Sequence, residues 1–179
     1  MKETIAHILD HIGRLGRHIA FATSVAILYR TGAHVALGYY IFGSMMCTII
    51  NVILKIIIKQ PRPKDDTPDF NFLIQMHKRV SYDKFGMPSG HSQFMFFTLA
   101  FMALFMRDHK RYWWMIAFFI ALTVITLVQR YVDNNHTIIQ LVVGALIGTF
   151  IGASAFFITK SKLKGKLREK EDDNALFIP

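Results

Sequence analysis

The sequence predicts an all-α, polytopic membrane protein: a bundle of about five transmembrane helices, including an N-terminal amphipathic stretch. Three observations lead to this prediction. Apolar residues make up 53% of the 179-residue chain, which is more than soluble domains usually contain. These residues occur in long blocks rather than in alternation. Several blocks approach the ~20 residues that a helix needs to cross a bilayer, and the spanning elements should therefore be helices.

Four apolar blocks predict four of the spans. The blocks 33–58 and 137–159 are long enough to cross a bilayer by themselves. The block 93–106 reaches span length when it is extended back through Gly90. The block 112–129 is slightly short, but it is almost free of charge. We therefore expect helices over these four segments.

The N-terminal stretch predicts one more span, from about residue 9 to residue 30. From Ile5 to Ile19 the apolar residues recur at helical spacing, and charged residues and histidines lie mostly on the other face, as in an amphipathic helix. This helix either lies in the membrane interface and then turns into the span, or continues straight in with its polar face toward the bundle. A signal peptide is a weaker interpretation, because the charged stretch ahead of the apolar core is too long.

Charge and length predict one membrane-embedded domain over residues 1–160 and a charged cytoplasmic tail over 161–179. In a soluble protein the net charge of +9 would favour nucleic-acid binding. Here the basic residues flank the spans, where they set orientation and contact anionic headgroups. We therefore expect membrane lipids, and no nucleic acid, as partners. The single cysteine, Cys47, is expected to be a buried apolar filler.

The order of the spans places the polar loops on one face of the membrane. Loop 59–88 and turn 130–136 share that face, whereas the basic turn 107–111 and the tail share the other. The positive-inside rule assigns the basic turn and tail to the cytoplasm, so the polar loops are lumenal or extracytoplasmic, in an endoplasmic reticulum or a bacterial inner membrane. Loop 59–88 is long; it either shapes a lipid entrance, with residues 70–74 in the interface, or is a disordered, solvated loop.

A first polar cluster on this face is the segment "KIIIKQPRP". Lys55 lies about one turn inside the end of an apolar helix, where a charge is costly and usually functional. The alternative is a lysine that snorkels to the headgroups. Pro61 and Pro63 stop the helix and fix the chain around Arg62.

A second cluster is "FGMPSGHSQF", where a polar stretch enters an apolar one. Pro88 can start a helix, Ser89 can cap it or bind an anion, and Gly90 lets backbone approach a ligand. His91 would then stand in the first turn, beside a phosphate attracted by the free N–H groups. The alternative is an ordinary capped helix with an incidental interfacial histidine.

A third cluster is "QRYVDNNHTIIQ". Arg130 ends the fourth span, His136 begins the fifth, and Gln140 shares the helical face of His136 four residues later. Small residues at this spacing let a neighbouring helix approach closely, so the face should point to the protein interior. The glycines that continue this stripe are Gly144, Gly148 and Gly152.

Together the clusters bring cations, histidines and a helix N-terminus to one face of the bundle. This combination suits a phosphate ester or anhydride, because cations neutralise phosphoryl oxygens. One histidine can attack phosphorus and the other can protonate the leaving oxygen. The sequence has no carboxylate cluster suited to a metal, so we expect neither a metal nor another cofactor. The residues concerned are Lys55, Arg62, Ser89, His91, Arg130 and His136.

The motifs K-x6-RP, PSGH and R-x5-H, in this order, resemble those of the type 2 phosphatidic acid phosphatase (PAP2) superfamily over about residues 55–140. The resemblance implies a helical bundle and metal-independent hydrolysis through a phosphohistidine. It implies that His136 is the nucleophile and His91 the general acid. The residues that it implies for phosphoryl binding are Lys55, Arg62, Ser89, Gly90 and Arg130.

Two positions depart from the usual pattern of this family. The third motif usually begins Ser-Arg, whereas here it is Gln129-Arg130. The usual Asp four residues after the nucleophile is Gln140, which can accept a hydrogen bond but brings no charge. The segment "RYVDNNHTIIQ", Thr137 included, is similar to the dolichyl-pyrophosphate phosphatase branch. That likeness implies a polyprenyl diphosphate substrate, cleaved to the monophosphate to recycle a glycan carrier lipid.

Two alternatives stay open at this point. One is a broad-specificity phosphatidate or lipid-phosphate phosphatase. The other is a catalytically inactive, lipid-binding relative, which Gln140 favours. Retention of both histidines and all three cations opposes the inactive interpretation, because a protein without catalysis need not keep them.

Overall fold

The computed structural model describes residues 2–63, 81–107 and 113–166. These residues form helices and connecting turns, with no β-strand in the described ranges. An isolated antiparallel bridge joins Pro61 to Phe85. The predicted all-helical bundle is therefore confirmed. The helices are α1 (Lys2–Arg30), α2 (His34–Ile58), a short 3₁₀ turn (Ser81–Lys84), α3 (Gly90–Met106), α4 (Trp113–Val132) and α5 (Ile138–Lys166).

The helices have the length and surface of membrane-spanning elements. In the described part of the chain, α2, α4 and α5 are long and apolar enough to cross a membrane, and α3 is a shorter apolar helix of 17 residues. Large apolar side chains such as Phe42, Leu146 and Phe150 point outward, as in a protein that is covered by lipid. The protein is thus an integral membrane protein.

The N-terminal segment forms one uninterrupted helix of 29 residues, which begins earlier than the predicted span. Helix α1 packs against α4. Gly13 lies against Gln129, and Gly16 lies against Thr126, with no room for a Cβ at either glycine. Small residues at a contact let two helices approach closely. The amphipathic part is therefore continuous with the rest of α1.

Polar side chains of α1 turn toward the end of α4. Asp10 accepts a hydrogen bond of 2.9 Å from Gln129, and Arg14 donates one of 3.2 Å to Asp133. Of the two arrangements that the sequence allows, these contacts support the one in which the polar face meets the bundle. The same contacts hold the N-terminal half of α1 at the end of the bundle where α3 and α5 begin.

The glycine stripe of α5 packs directly on the backbone of α3. A Cβ at Gly144 would lie 2.6 Å from the carbonyl oxygen of Ser89. At Gly148 it would collide with the Gln93 carbonyl, and at Gly152 it would collide with the Phe97 carbonyl. The prediction that this stripe faces the interior is confirmed. The close packing sets the starts of α3 and α5 side by side, next to His91 and His136. 

Buried amides join α2 to the start of α3. Asn51 donates from Nδ2 to the Gln93 side-chain oxygen at 2.8 Å and to the Pro88 carbonyl at 3.2 Å. Gln93 in turn donates to the Cys47 carbonyl at 2.8 Å. The buried side-chain amides of Asn51 and Gln93 thereby have partners, which is what burial in an apolar bundle requires. Cys47 is buried, as expected.

The chain just after α2 and the chain just before α3 meet at one end of the bundle. Gly86 donates its N–H to the Gln60 carbonyl at 2.8 Å, next to the bridge between Pro61 and Phe85. These contacts hold residues 60–61 and residues 85–86 beside each other. The predicted interfacial segment 70–74, the basic turn beyond Arg107 and the tail beyond Lys166 lie outside the described residues.

Candidate active site

His136 lies in the turn between α4 and α5, and both nitrogens of its ring are held. Nδ1 is 3.0 Å from the Gly86 carbonyl oxygen and 3.2 Å from Oε1 of Gln140, whereas Nε2 is 2.9 Å from Nη1 of Arg62. A carbonyl oxygen only accepts and a guanidinium only donates. Nδ1 therefore carries the proton, and the lone pair is on Nε2. This tautomer leaves Nε2 as the nucleophilic atom.

The surroundings of His136 keep its ring neutral. The side chain is 2% exposed. Burial, followed by the positive charges of Arg62 and Lys55, lowers the pKa of His136 well below its ordinary value of 6.5, and the hydrogen bond that Nδ1–H donates to Gln140 opposes this only in part. At neutral pH the ring is therefore in the form that has a free lone pair.

Gln140 is oriented by a capping box at the start of α5. The Thr137 hydroxyl accepts from the Gln140 N–H at 3.2 Å, and Oε1 of Gln140 accepts from the Thr137 N–H at 3.2 Å, which is the reciprocal pattern of the sequence T-x-x-Q. The Gln140 amide nitrogen donates to Gln60 at 3.1 Å and to the Pro61 carbonyl at 2.9 Å. The amide oxygen is thereby turned toward His136.

Lys55 and Arg62 meet at the carboxylate of Asp83. Arg62 contacts Oδ1 of Asp83 through Nη2 at 2.9 Å and donates from Nε to its carbonyl at 2.9 Å; Lys55 lies 3.9 Å from the same Oδ1. Both cationic side chains are 6% exposed. Lys55 therefore points inward and does not snorkel to the headgroups. The carboxylate stands between two of the cations that the motifs predict to bind phosphate.

Arg130 is fully buried, and Gln129 connects it to α1. Arg130 donates from Nε to Oε1 of Gln129 at 2.6 Å, while Nε2 of Gln129 donates to Asp10 at 2.9 Å and to Asp133 at 2.6 Å. The Arg130 carbonyl also accepts from the His136 N–H at 3.3 Å. The glutamine that replaces the usual serine thus orients the guanidinium, and the backbone ties Arg130 to His136.

The start of α3 supplies the remaining predicted residues. Ser89 is the N-cap; its hydroxyl accepts from the Ser92 N–H at 3.4 Å, and its own N–H donates to the Gln140 carbonyl at 3.1 Å. The helix begins at Gly90, two residues after Pro88. A Cβ at Gly90 would lie 3.2 Å from Oδ1 of Asn51, so the position is confined.

His91 is 7% exposed and lies in the first turn of α3. Among the described residues its buried Nε2 has no hydrogen-bond partner. The charges of Arg130, Arg17 and Arg62 act on its ring, as does His136. A buried ring nitrogen without a partner is a candidate to hydrogen-bond an oxygen of a bound anion. 

The structure brings the eight predicted residues to one end of the bundle. Sequence reasoning missed three contributors: the Asp83 carboxylate, the Gly86 carbonyl and the Gln60 side chain. It noted Gln129 as a departure from the usual Ser-Arg but predicted no contact for its side chain. Within the described ranges, no group of three or more His, Cys, Asp or Glu side chains is arranged to hold a metal ion.

Comparison with known proteins identifies the family. Residues 34–163 match the PAP2 superfamily. The chain belongs to the PAP2 superfamily. This assignment, together with the names of its relatives, makes it a phosphatase of the lipid-phosphatase type, and therefore a hydrolase.

Relatives of this PAP2 protein carry two kinds of name. Lipid phosphate phosphatase gamma of Arabidopsis thaliana is 28% identical over 177 residues, covering 89% of this chain and 74% of the relative. Dolichyldiphosphatase of Saccharomyces cerevisiae is 31% identical, covering 65% of this chain and 49% of the relative. A palmitoyl-protein thioesterase-dolichyl pyrophosphate phosphatase fusion of Schizosaccharomyces pombe is 32% identical over 70% of this chain and 18% of the fusion. No solved structure matches.

Proposed function

We propose that this PAP2 phosphatase hydrolyses a polyprenyl diphosphate of the dolichyl type to the monophosphate through a phosphohistidine on His136. The observation that carries the proposal is the fixed tautomer of His136, whose Nε2 faces Arg62 at 2.9 Å while Gln140 accepts at Nδ1. Two further points support the substrate class: Gln140 follows the nucleophile as in the branch that the motif resembles, and two relatives carry dolichyl names.

The terminal phosphoryl group would bind between the cations at the end of the bundle. Lys55, Arg62 and Arg130 neutralise its oxygens, and the Ser89 hydroxyl and the backbone at Gly90 contact it at the start of α3. Cations placed in a buried site stabilise phosphoryl charge more strongly than they would in water. To admit the phosphate, the Asp83 carboxylate has to yield its contacts with Lys55 and Arg62.

The chemistry then proceeds in two balanced steps. The lone pair on Nε2 of His136 forms a bond to the terminal phosphorus while the bond from phosphorus to the bridging oxygen breaks, and His91 gives a proton to the departing monophosphate. The proton on Nδ1 stays in place, and the Gln140 oxygen stabilises the positive ring. Water then attacks phosphorus while the bond from phosphorus to Nε2 breaks. The water gives a proton to His91, and inorganic phosphate leaves with His136 neutral again.

The function is tested by phosphate release in detergent with a metal chelator present. We expect release from a polyprenyl diphosphate to continue undiminished in the chelator and to exceed release from phosphatidic acid by roughly tenfold or more, a difference of ~1.4 kcal/mol in transition-state binding. Loss of activity in the chelator would contradict metal-independent chemistry. No release from any lipid phosphate would leave the inactive lipid-binding alternative.

A second candidate is a broad lipid-phosphate phosphatase. The relative from Arabidopsis thaliana favours it, because that protein is named a lipid phosphate phosphatase and covers most of this chain. In the same assay this candidate predicts similar rates with phosphatidic acid and with the polyprenyl diphosphate. Similar rates would therefore replace the proposal with this alternative.

Exchanging Gln140 for aspartate is expected to keep activity measurable and to move the acid limb of kcat/KM to higher pH. A carboxylate beside Nδ1–H stabilises the charged ring and so raises the pKa of His136. The ring then loses its nucleophilic lone pair at a higher pH than in the parent enzyme. The profile of kcat/KM reports free-enzyme ionisations, and those of the substrate are common to both proteins. Complete loss of activity, or an unmoved limb, would mean that Gln140 does something other than orient and stabilise His136.

We further propose that residues 1–160 act as a single membrane domain with the site on the lumenal or extracytoplasmic face. The support comes from the sequence: turn 107–111 has three basic residues among five, and tail 161–179 has five Lys or Arg residues, which the positive-inside rule assigns to the cytoplasm. A cysteine placed at exposed Lys84, near the site, should react with a membrane-impermeant thiol reagent added from outside sealed, right-side-out vesicles. Reaction only after the vesicles are opened would reverse the orientation.

A further inference from the structure

A cavity of about 500 Å³ lies between α1, α2 and α3, beside the candidate active site. Gly90, which belongs to the PSGH motif, and Asn51, which bonds the carbonyl of Pro88, form the wall that the cavity shares with the site. The cavity therefore adjoins the start of α3, where the proposed substrate would react, on the side that faces α1.

The cavity is polar at one end and apolar at the other. Arg17 and His18 of α1 line it together with Gly90, whereas Phe21 and Met45 line it further along α1 and α2. Phe21 and Met45 are also exposed on the outer surface of the bundle, so the cavity reaches the face that lipid covers. This shape fits a molecule with a charged head and a hydrocarbon chain that arrives from the bilayer.

Arg17 lies outside the part of the chain that matches the PAP2 superfamily, which begins at residue 34. Its position is nonetheless fixed, because Gly13 and Gly16 of the same helix pack against α4 without room for a side chain. Arg17 lines the same cavity as Gly90, which directly precedes His91. A fourth cation, supplied by α1, thus stands on the His91 side of the site.

The leaving group of a diphosphate needs such a cation. When Nε2 of His136 attacks the terminal phosphorus, the bond to the bridging oxygen breaks and negative charge passes to the second phosphate. The second pKa of a phosphate monoester is ~6, so the departing monophosphate keeps negative charge even when it accepts the proton of His91, and a cation stabilises that charge. The leaving group of phosphatidic acid is instead an alcohol, whose departure depends mainly on a proton from the general acid.

We propose that Arg17 binds the second, lipid-linked phosphate of a lipid diphosphate, and that the cavity beside it holds the first prenyl units. Arg17 is then a residue that determines preference for an anhydride over a monoester. This inference rests on the proposed function, since it assigns the half of the substrate that the PAP2 motifs leave unassigned.

Binding of two unreactive ligands to the full chain in detergent tests the inference without turnover. One ligand is a prenyl methylenebisphosphonate, and the other is a prenyl monophosphonate with the same chain. Arg17→Gln should raise the Kd of the bisphosphonate by roughly tenfold or more, the loss of one charge-assisted contact, and leave the Kd of the monophosphonate within about twofold. Arg17→Lys should retain much of the affinity for the bisphosphonate. Arg30→Gln, at the exposed far end of α1, is the matched control and should change neither Kd.

Arg62→Gln separates failure of this inference from failure of the proposed function. Arg62 is placed on the terminal phosphate, so its loss should weaken both ligands. If Arg62→Gln weakens neither ligand, the proposed phosphate site is wrong. If Arg62→Gln weakens both, while Arg17→Gln weakens both equally or neither, the role of Arg17 is overturned and the function stands. Thermal unfolding of each variant identifies any that has lost its fold. If Arg17→Gln does not fold, the comparison of the two ligands is made with Arg17→Lys instead.

Discussion

Replacing His136 with alanine is expected to reduce phosphate release from a polyprenyl diphosphate by roughly 10⁴-fold or more, the scale of losing a covalent nucleophile. The loss is large because no other described side chain is positioned to take its place: the opposite histidine, His91, lies on the side proposed for the leaving group. Binding should survive, because Lys55, Arg62 and Arg130 remain. The measurement is the initial rate of phosphate release in detergent, with the Kd of a prenyl bisphosphonate measured in parallel.

A matched control is available at the other end of the bundle. His34 begins α2 and is exposed, so His34→Ala removes an imidazole without touching the site and should leave the rate within about twofold of the parent rate, as surface substitutions usually do. Turnover by His136→Ala at the parent rate would refute the assignment of the nucleophile. A variant that neither turns over nor binds the bisphosphonate would show instead that His136 is needed for the shape of the site.

Replacing Gly148 with alanine is expected to destabilise the protein by about 1–3 kcal/mol and to lower activity with it. The added Cβ would collide with the Gln93 carbonyl, and its next nearest atoms, at 2.8 Å and 3.0 Å, also belong to the backbone of Gln93. Backbone cannot turn aside as a side chain can, so α3 and α5 must move apart. The amides that Gln93 holds, and with them the start of α3, would shift. The measurement is the midpoint of thermal unfolding in detergent.

Gly38→Ala provides the opposite expectation within the same protein. A Cβ at Gly38 of α2 meets no atom within 4 Å. Alanine there should leave stability unchanged or raise it by up to about 1 kcal/mol, because alanine is the better helix former. If Gly148→Ala and Gly38→Ala behave alike, close packing of α5 on α3 is not what positions the site.

Most of the helices could be predicted from the sequence, because apolar blocks of span length are a strong local signal. Helix α2 begins at His34 and ends at Ile58, within one residue of the predicted block. The inward-facing stripe of Gly144, Gly148 and Gly152 was equally predictable, because residues spaced four apart lie on one face of a helix. The placement of helix α1 was harder to predict. Its polar face pairs with residues of α4, and without knowledge of these partners an amphipathic helix resembles one that lies in the membrane interface.

The histidine pair and the cations of the site were predictable, but the residues that hold them in place were not. Asp83 contacts Arg62 across 21 residues of chain, and Asp10 contacts Gln129 across 119. Such contacts are set by the fold and leave no local pattern. The Gly86 carbonyl is a backbone group, for which no side-chain motif exists. The role of Gln129 could not be predicted for the same reason: it depends on the contacts with Asp10, Asp133 and Arg130, which the fold brings together.

The most direct test of the central claim is to trap the phosphoenzyme. A polyprenyl diphosphate labelled in the terminal phosphate is mixed with excess enzyme and quenched within milliseconds in base, where phosphohistidine survives, and the labelled peptide is then mapped by mass spectrometry. The account predicts a label that is stable in base, labile in acid and carried by His136. A label on His91, or complete turnover through a reaction that never labels the protein, would contradict it.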